Sequence, residues 1–184
     1  MTATYEASST YVGGIVKALR ALSLLDAPVT ERLSEAQQAI VASPWSRSWW
    51  PGDVAEGIAQ AVLDVHGPER LERVGFEAVT RSVGPIITPL ISVIGAIFGL
   101  TPASLFERMA DLSSTSIKGV SLAWRSTAAV EGLLSLTYPM PITVVHAPLW
   151  RGACGYVLET ARVEGRVTGS HVSGHTLTLI VSWR

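Results

Sequence analysis

From Ser82 to Phe106 the chain carries no charged residue, and this stretch constrains the fold more than any other. A run of that length and hydropathy must leave water for either a bilayer or the inside of a protein. Pro85, Pro89 and Pro102 interrupt it, and no basic cluster flanks it. The proline-free part from Leu90 to Leu100 makes only about three helical turns, whereas a span takes about twenty consecutive apolar residues. Basic flanks, which would set the orientation of a span, are missing as well. The stretch therefore reads as a helix buried in the core, at a dimer seam or along the wall of an apolar pocket. Gly95 and Gly99, four residues apart, permit close packing on that helix.

The segments around it have recognisable periods. Val12, Ile15, Val16, Leu19, Leu22 and Leu25 recur at spacings of three and four, which predicts an amphipathic helix over Tyr11–Leu25, or a strand over 11–16 leading into one. Thr30 reads as the N-cap of a helix over Glu31–Val41. Pro51, with Asp53 and Glu56 in the first turn, opens a helix that closes at Gly67-Pro68. A further helix follows over Pro68–Ser82, and Thr101-Pro102 opens another over 103–112. Beyond Ser113 the period becomes two. Lys118–Trp124 and Glu131–Tyr138 form a hairpin around 125–128, Pro148–Ala161 is helical, and strands 166–172 and 176–183 join at Ser173-Gly174. Helices grouped ahead of hairpins imply an α+β fold, a helical layer packed on a small antiparallel sheet of two hairpins. One domain covers 11–184, after a flexible start or short edge strand over 1–10.

Composition narrows the function. Only 16% of the 184 residues are charged, well below the usual quarter. A surface so poor in charge implies cover by a partner, a second copy or a ligand. Net charge is −1 with no basic stripe, which excludes nucleic acid as a partner. The one cysteine, Cys154, rules out an internal disulfide and fits a reducing compartment, and the polar start has no signal-peptide pattern, so the expected location is the cytoplasm.

Catalytic signatures are not found: no phosphate-cradling glycine loop, nucleophile elbow or paired carboxylates. Of His66, His146, His171 and His175, the last two flank a turn but have no third ligand nearby, so no metal site is expected. His66 sits at a helix end, where the dipole favours a cation. Cys154 between Gly152 and Gly155 reads as a core thiol. Trp45, Trp49 and Trp50, crowded into six residues beside two prolines, line either a ligand mouth or an interface, or else cap the core. Candidate ligand or interface residues are Trp45, Trp49, Trp50, Leu90, Ile94, Ile97, Phe98, Phe106, Trp150 and Cys154.

Several of these features occur together in one known pattern. Trp49-Trp50-Pro51, Gly67-Pro68-Glu69-Arg70-Leu71 with Val74-Gly75, the uncharged stretch, Thr101-Pro102, a hairpin from Gly119, and a Gly152-x-x-Gly155-x-x-Leu158-Glu159 helix before a hairpin ending in Val181-Ser182-Trp183 follow in order. In this the chain resembles a myxobacterial paralogous family of domains of unknown function. That family is distantly similar to the superfamily of haem-nitric-oxide-binding domains, 4-vinyl-reductase-type sensor domains and TRAPP trafficking subunits. The resemblance spans Tyr11–Trp183 and implies helices on an antiparallel sheet, an apolar cavity and frequent dimerisation. The haem-binding branch holds propionates with Tyr-x-Ser-x-Arg, which this sequence lacks, and the reductase-like branch uses several C-terminal cysteines where this chain has one. Neither haem nor zinc is therefore expected, and no cofactor. The expected function is a non-enzymatic ligand-binding or sensor module with an apolar pocket, acting through a protein partner. The alternative is a ligand-free interaction or scaffold domain working as a homodimer.

Overall fold

The structure, a computed structural model, describes residues 4–82 and 101–184. Strand β1 (Glu6–Ser8) leads into α1 (Ser9–Ala21), capped by the Ser8 hydroxyl, which accepts from the Tyr11 N–H. The strand alternative over 11–16 is thus settled in favour of helix. Asp26 caps the short α2 (Ala27–Thr30), and α3 is Glu35–Ala42. Here the expected helix start moves. Thr30 turns its hydroxyl back onto the Asp26 and Ala27 carbonyls, so it caps nothing ahead of it. Ser34 and Gln37 form a reciprocal capping box instead.

β2 (Trp49–Pro51) runs into α4 (Gly52–Ser82). The expected pair of helices is present as two arms of α4, broken at Gly67 with φ 79°, a conformation that costs glycine nothing, followed by Pro68. α5 is Pro102–Leu112, with Thr101 accepting from the Ser104 N–H at 3.2 Å. A 3₁₀ turn (Ser113–Thr115) and β3 (Ile117–Lys118) follow. β4 (Ser121–Ala128) and β5 (Glu131–Thr137) form the first hairpin. Residues 125–128, expected as its loop, belong to β4, and the reversal falls at Ala129-Val130. α6 (His146–Thr160), β6 (Gly165–Ser173) and β7 (Thr176–Trp183) complete the chain.

The architecture is α+β. The two hairpins join through β5 and β7 into one antiparallel sheet of order β4-β5-β7-β6. Leu134 faces Leu179 and Leu136 faces Leu177 across the β5–β7 pair, and all four side chains are fully buried. The alternation of Leu177, Leu179 and Val181 therefore does point inward, as the period predicts. A second sheet, β2-β1-β3, is unexpected. Its strands have two or three residues each, too short to show a period. The segment expected as a flexible start or short edge strand holds β1, which is the middle strand of that sheet.

Among the described residues the interior falls into two apolar clusters. One lies among α1, α2, α3 and α4, with Val12, Leu19, Ile58, Val62 and Leu71 at its centre. The other lies between the four-stranded sheet and α5 and α6, around Phe106, Leu134, Cys154 and Leu179. The two meet where α4 crosses α6. A Cβ on Gly75 would strike the Leu149 carbonyl, and one on Gly152 would strike the Glu72 carbonyl and the Phe76 amide. The helices approach backbone to backbone, which only glycine allows. No helix among the described residues is long and apolar enough to cross a membrane.

Candidate functional site

The seam between the two clusters holds a buried polar group of residues. Glu56 comes from the first arm of α4, and His146 is the first residue of α6. Their side chains are 12% and 3% exposed, and His146 Nε2 lies 3.1 Å from Glu56 Oε1. The Thr143 N–H donates to His146 Nδ1 at 3.0 Å, so Nδ1 acts as an acceptor and the ring proton sits on Nε2, facing the carboxylate. That N–H is not aimed squarely at the oxygen, so the pairing is charge with dipole more than a linear hydrogen bond. The Thr143 hydroxyl donates to Glu56 Oε2 at 3.1 Å.

Aromatic residues enclose the pair. The Tyr138 ring meets the His146 ring edge-on at 4.3 Å, and Tyr5 meets Tyr138 edge-on at 5.3 Å. The Tyr5 hydroxyl donates to the Gly52 carbonyl at 3.3 Å, and Trp150 Nε1 donates to the Tyr138 hydroxyl at 2.9 Å. Burial would raise the Glu56 carboxyl, but His146, Tyr5 and Thr143 outweigh it and hold the group below the usual carboxylate range. Burial, reinforced by Tyr11, Tyr138 and Glu56, pushes the Tyr5 hydroxyl far up, and burial with Glu56 pushes Tyr11 up to about 12. The cluster therefore holds neutral phenols around one stabilised carboxylate.

The residues singled out from sequence fall into separate places. Phe106, Trp150 and Cys154 share the sheet-side cluster, all buried. Phe106 stacks on Trp124 at 4.4 Å between ring centroids. Leu90, Ile94, Ile97 and Phe98 lie outside the described residues. The three tryptophans of the 45–50 segment sit elsewhere and differ. Trp50 is buried and donates to the Pro44 carbonyl at 2.8 Å, Trp49 is half-buried, and Trp45 is 52% exposed. An open depression of about 300 Å³ beside the α4–α6 crossing is lined by Glu72, Arg73, Phe76 and Arg151 among others, so it is a charged surface feature.

Glu56 and His146 escaped the sequence reading as a pair. They are 90 positions apart, Glu56 resembles an ordinary first-turn acid, and a single histidine before an apolar helix carries no pattern. Thr143, three residues ahead of His146, was the only local hint. Among the described residues no group of three or more His, Cys, Asp or Glu could hold a metal. His66 faces Asp26 at 3.2 Å, and His171 and His175 are exposed.

Cys154 has no exposed surface, and burial, with a smaller push from Glu72, raises its thiol far above the ordinary range. A nucleophile needs the thiolate and access. We expect a disulfide-exchange reagent to leave Cys154 unmodified in the folded protein and to titrate one thiol after denaturation. Rapid labelling of the native chain would overturn the core-thiol reading.

No family model and no curated protein sequence matches the chain. Solved structures do. An oxygen-binding H-NOX domain related to soluble guanylate cyclases, in its oxygen complex, aligns with TM-score 0.61 at 14% identity, covering 96% of this chain and 95% of that one. A structure reported for modulating haem redox potential through protein-induced porphyrin distortion aligns with TM-score 0.59 at 14% identity, over 96% and 99% of the two chains. A point mutant of the T. Tengcongensis H-NOX aligns with TM-score 0.56 at 16% identity, over 96% and 97%. At such identities the likeness establishes the fold: this chain has the α+β architecture of H-NOX domains across nearly its whole described length.

Proposed function

We propose that this chain is a non-catalytic sensor module built on the H-NOX architecture, that its ligand is a small apolar molecule other than haem, and that it signals through a protein partner. Kinship with the myxobacterial domain family belongs to the same proposal. The supporting observation is the donor set. Haem held by an axial histidine needs a buried imidazole with a free nitrogen. His146 is the one buried histidine of the four, and it meets Thr143 through Nδ1 and Glu56 through Nε2. None of Tyr5, Tyr11, Tyr138 and Tyr156 is followed by serine at the second position and arginine at the fourth. After Tyr138 these places are Met140 and Ile142, which cannot hold a propionate. Haem does not fit these residues.

An apolar ligand is supported by the sheet-side cluster, where Phe106, Trp150 and Cys154 present apolar side chains, and by the uncharged sequence of 82–106. The test is native mass spectrometry together with absorption spectra of protein purified from cells supplied with a haem precursor. We expect no stoichiometric Soret band and a small apolar molecule retained in native spectra. A full Soret band from axially ligated haem would overturn the reading. A bare oligomer with no bound molecule would favour the homodimeric scaffold instead.

A further inference from the structure

We propose that the 43–51 loop, the outer face of α1 and the tip of β3 form a docking surface for an acidic segment of a partner protein. The inference names the chemistry of the partner in the reading above and rests on that reading only for the existence of a partner.

Trp45 is the anchor. It is 52% exposed, yet one side of its ring is packed against α1. It lies against the bare backbone of α1 at Gly13, where an added Cβ would sit 2.6 Å from Trp45 Cζ2. Lys17, one turn further along α1, places Nζ 5.0 Å from the centre of the indole. The loop carrying Trp45 is pinned at both sides. Trp50 Nε1 donates to the Pro44 carbonyl at 2.8 Å, and the Ser9 N–H donates to the Ser48 carbonyl at 2.9 Å. A large side chain ordered in advance loses little freedom on docking, the property shared by aromatic anchors of protein interfaces.

The charge around the anchor is positive. Arg47 lies 4.4 Å above the Trp50 ring, and Lys118 lies 3.8 Å above Trp49 while reaching Glu6 at 3.7 Å. Lys17 and Arg47 have aromatic contacts but no carboxylate within ion-pair distance among the described residues. Two unpaired cations beside a rigid exposed indole complement carboxylates on a partner. A bilayer suits the surface less well. A membrane-seeking aromatic projects into the acyl boundary, whereas Trp45 lies back on its helix under an ammonium group and Trp50 is buried.

Poly-L-glutamate serves as the probe, with poly-L-lysine as control, added to the full chain at low ionic strength while tryptophan fluorescence is followed. We expect saturable, salt-sensitive binding to polyglutamate alone, weakened roughly tenfold or more by Trp45→Ala. The pair Lys17→Glu and Arg47→Glu should abolish it while leaving the circular dichroism spectrum and Tm unchanged, which covers the case of a Trp45 variant that folds poorly. No binding, or binding indifferent to these substitutions, would overturn the proposal. So would preferential binding to phosphatidylglycerol vesicles, which would assign the surface to a membrane, or self-association dissolved by Trp45→Ala, which would assign it to a second copy. The polyglutamate result is independent of any bound ligand, so failure here leaves the sensor reading standing, and a haem-loaded protein would leave this surface standing.

Discussion

Replacing Gly152 with alanine should cost the protein about 3 kcal/mol or more, at the upper end of what overpacking does. In an exposed helix the same change would gain about 1 kcal/mol from propensity, so even the sign separates a helix-crossing glycine from an ordinary one. The added methyl would meet the Glu72 carbonyl and the Phe76 amide, which are backbone atoms of α4 and cannot rotate aside. Relief requires the two helices to separate, and separation opens both apolar clusters where they meet at Leu149 and Trp150. Gly75→Ala, which strikes the Leu149 carbonyl from the other helix, should behave alike. Urea unfolding of the two variants and their double mutant checks this. Because one separation relieves both clashes, the double mutant should lose less than the sum. A Gly152→Ala protein as stable as the parent would mean that the helices do not touch this way.

His146→Ala should destabilise by about 3 kcal/mol at neutral pH, because it removes the N–H dipole facing a buried carboxylate. The loss should depend on pH in a defined direction. The Glu56 carboxyl is held below its ordinary value in the folded chain by His146, Tyr5 and Thr143. Its contribution is therefore complete above the unfolded value and fades as pH falls through the lower, folded value. The parent should lose stability across that acid window, while Glu56→Gln, which cannot titrate, should give a flatter profile there. Glu56→Gln keeps the shape and some hydrogen bonding, so it should cost less, about 1–3 kcal/mol. Chemical denaturation from pH 3 to 8 reads both effects. A His146→Ala protein with unchanged stability throughout would show that the pair does not hold α4 and α6 together.

Much of the frame was legible because it rests on local chemistry. Thr101-Pro102, Gly67-Pro68 and the alternation of Leu177, Leu179 and Val181 each set a backbone conformation or a face without help from distant residues. Thr30 misled because a threonine can bond backwards to its own turn as readily as forwards, and only the neighbouring Ser34–Gln37 box, with two reciprocal bonds, settled the competition. The small sheet was illegible because its pairings join residue 7 to residues 50 and 117, with no period in any member. The candidate site failed for the same reason. Tyr5, Glu56, Tyr138 and His146 come together only after the helices have packed on the sheet. What the sequence did show of function was mostly negative, a missing Tyr-x-Ser-x-Arg pattern and no catalytic signature. Among the tryptophans, exposure could not be ranked beforehand, and it proved to differ from nearly nothing at Trp50 to half at Trp45.

The placement of β1 also bears on how the molecule comes into being. Strand β1 is flanked on one side by residues 49–51 and on the other by 117–118. A nascent chain can therefore build the helices between them but must hold one edge of β1 open until residues 117–118 have emerged. Assembly of that small sheet is a late, long-range closure, and a pause in translation before residue 117 would leave the open edge available to other chains.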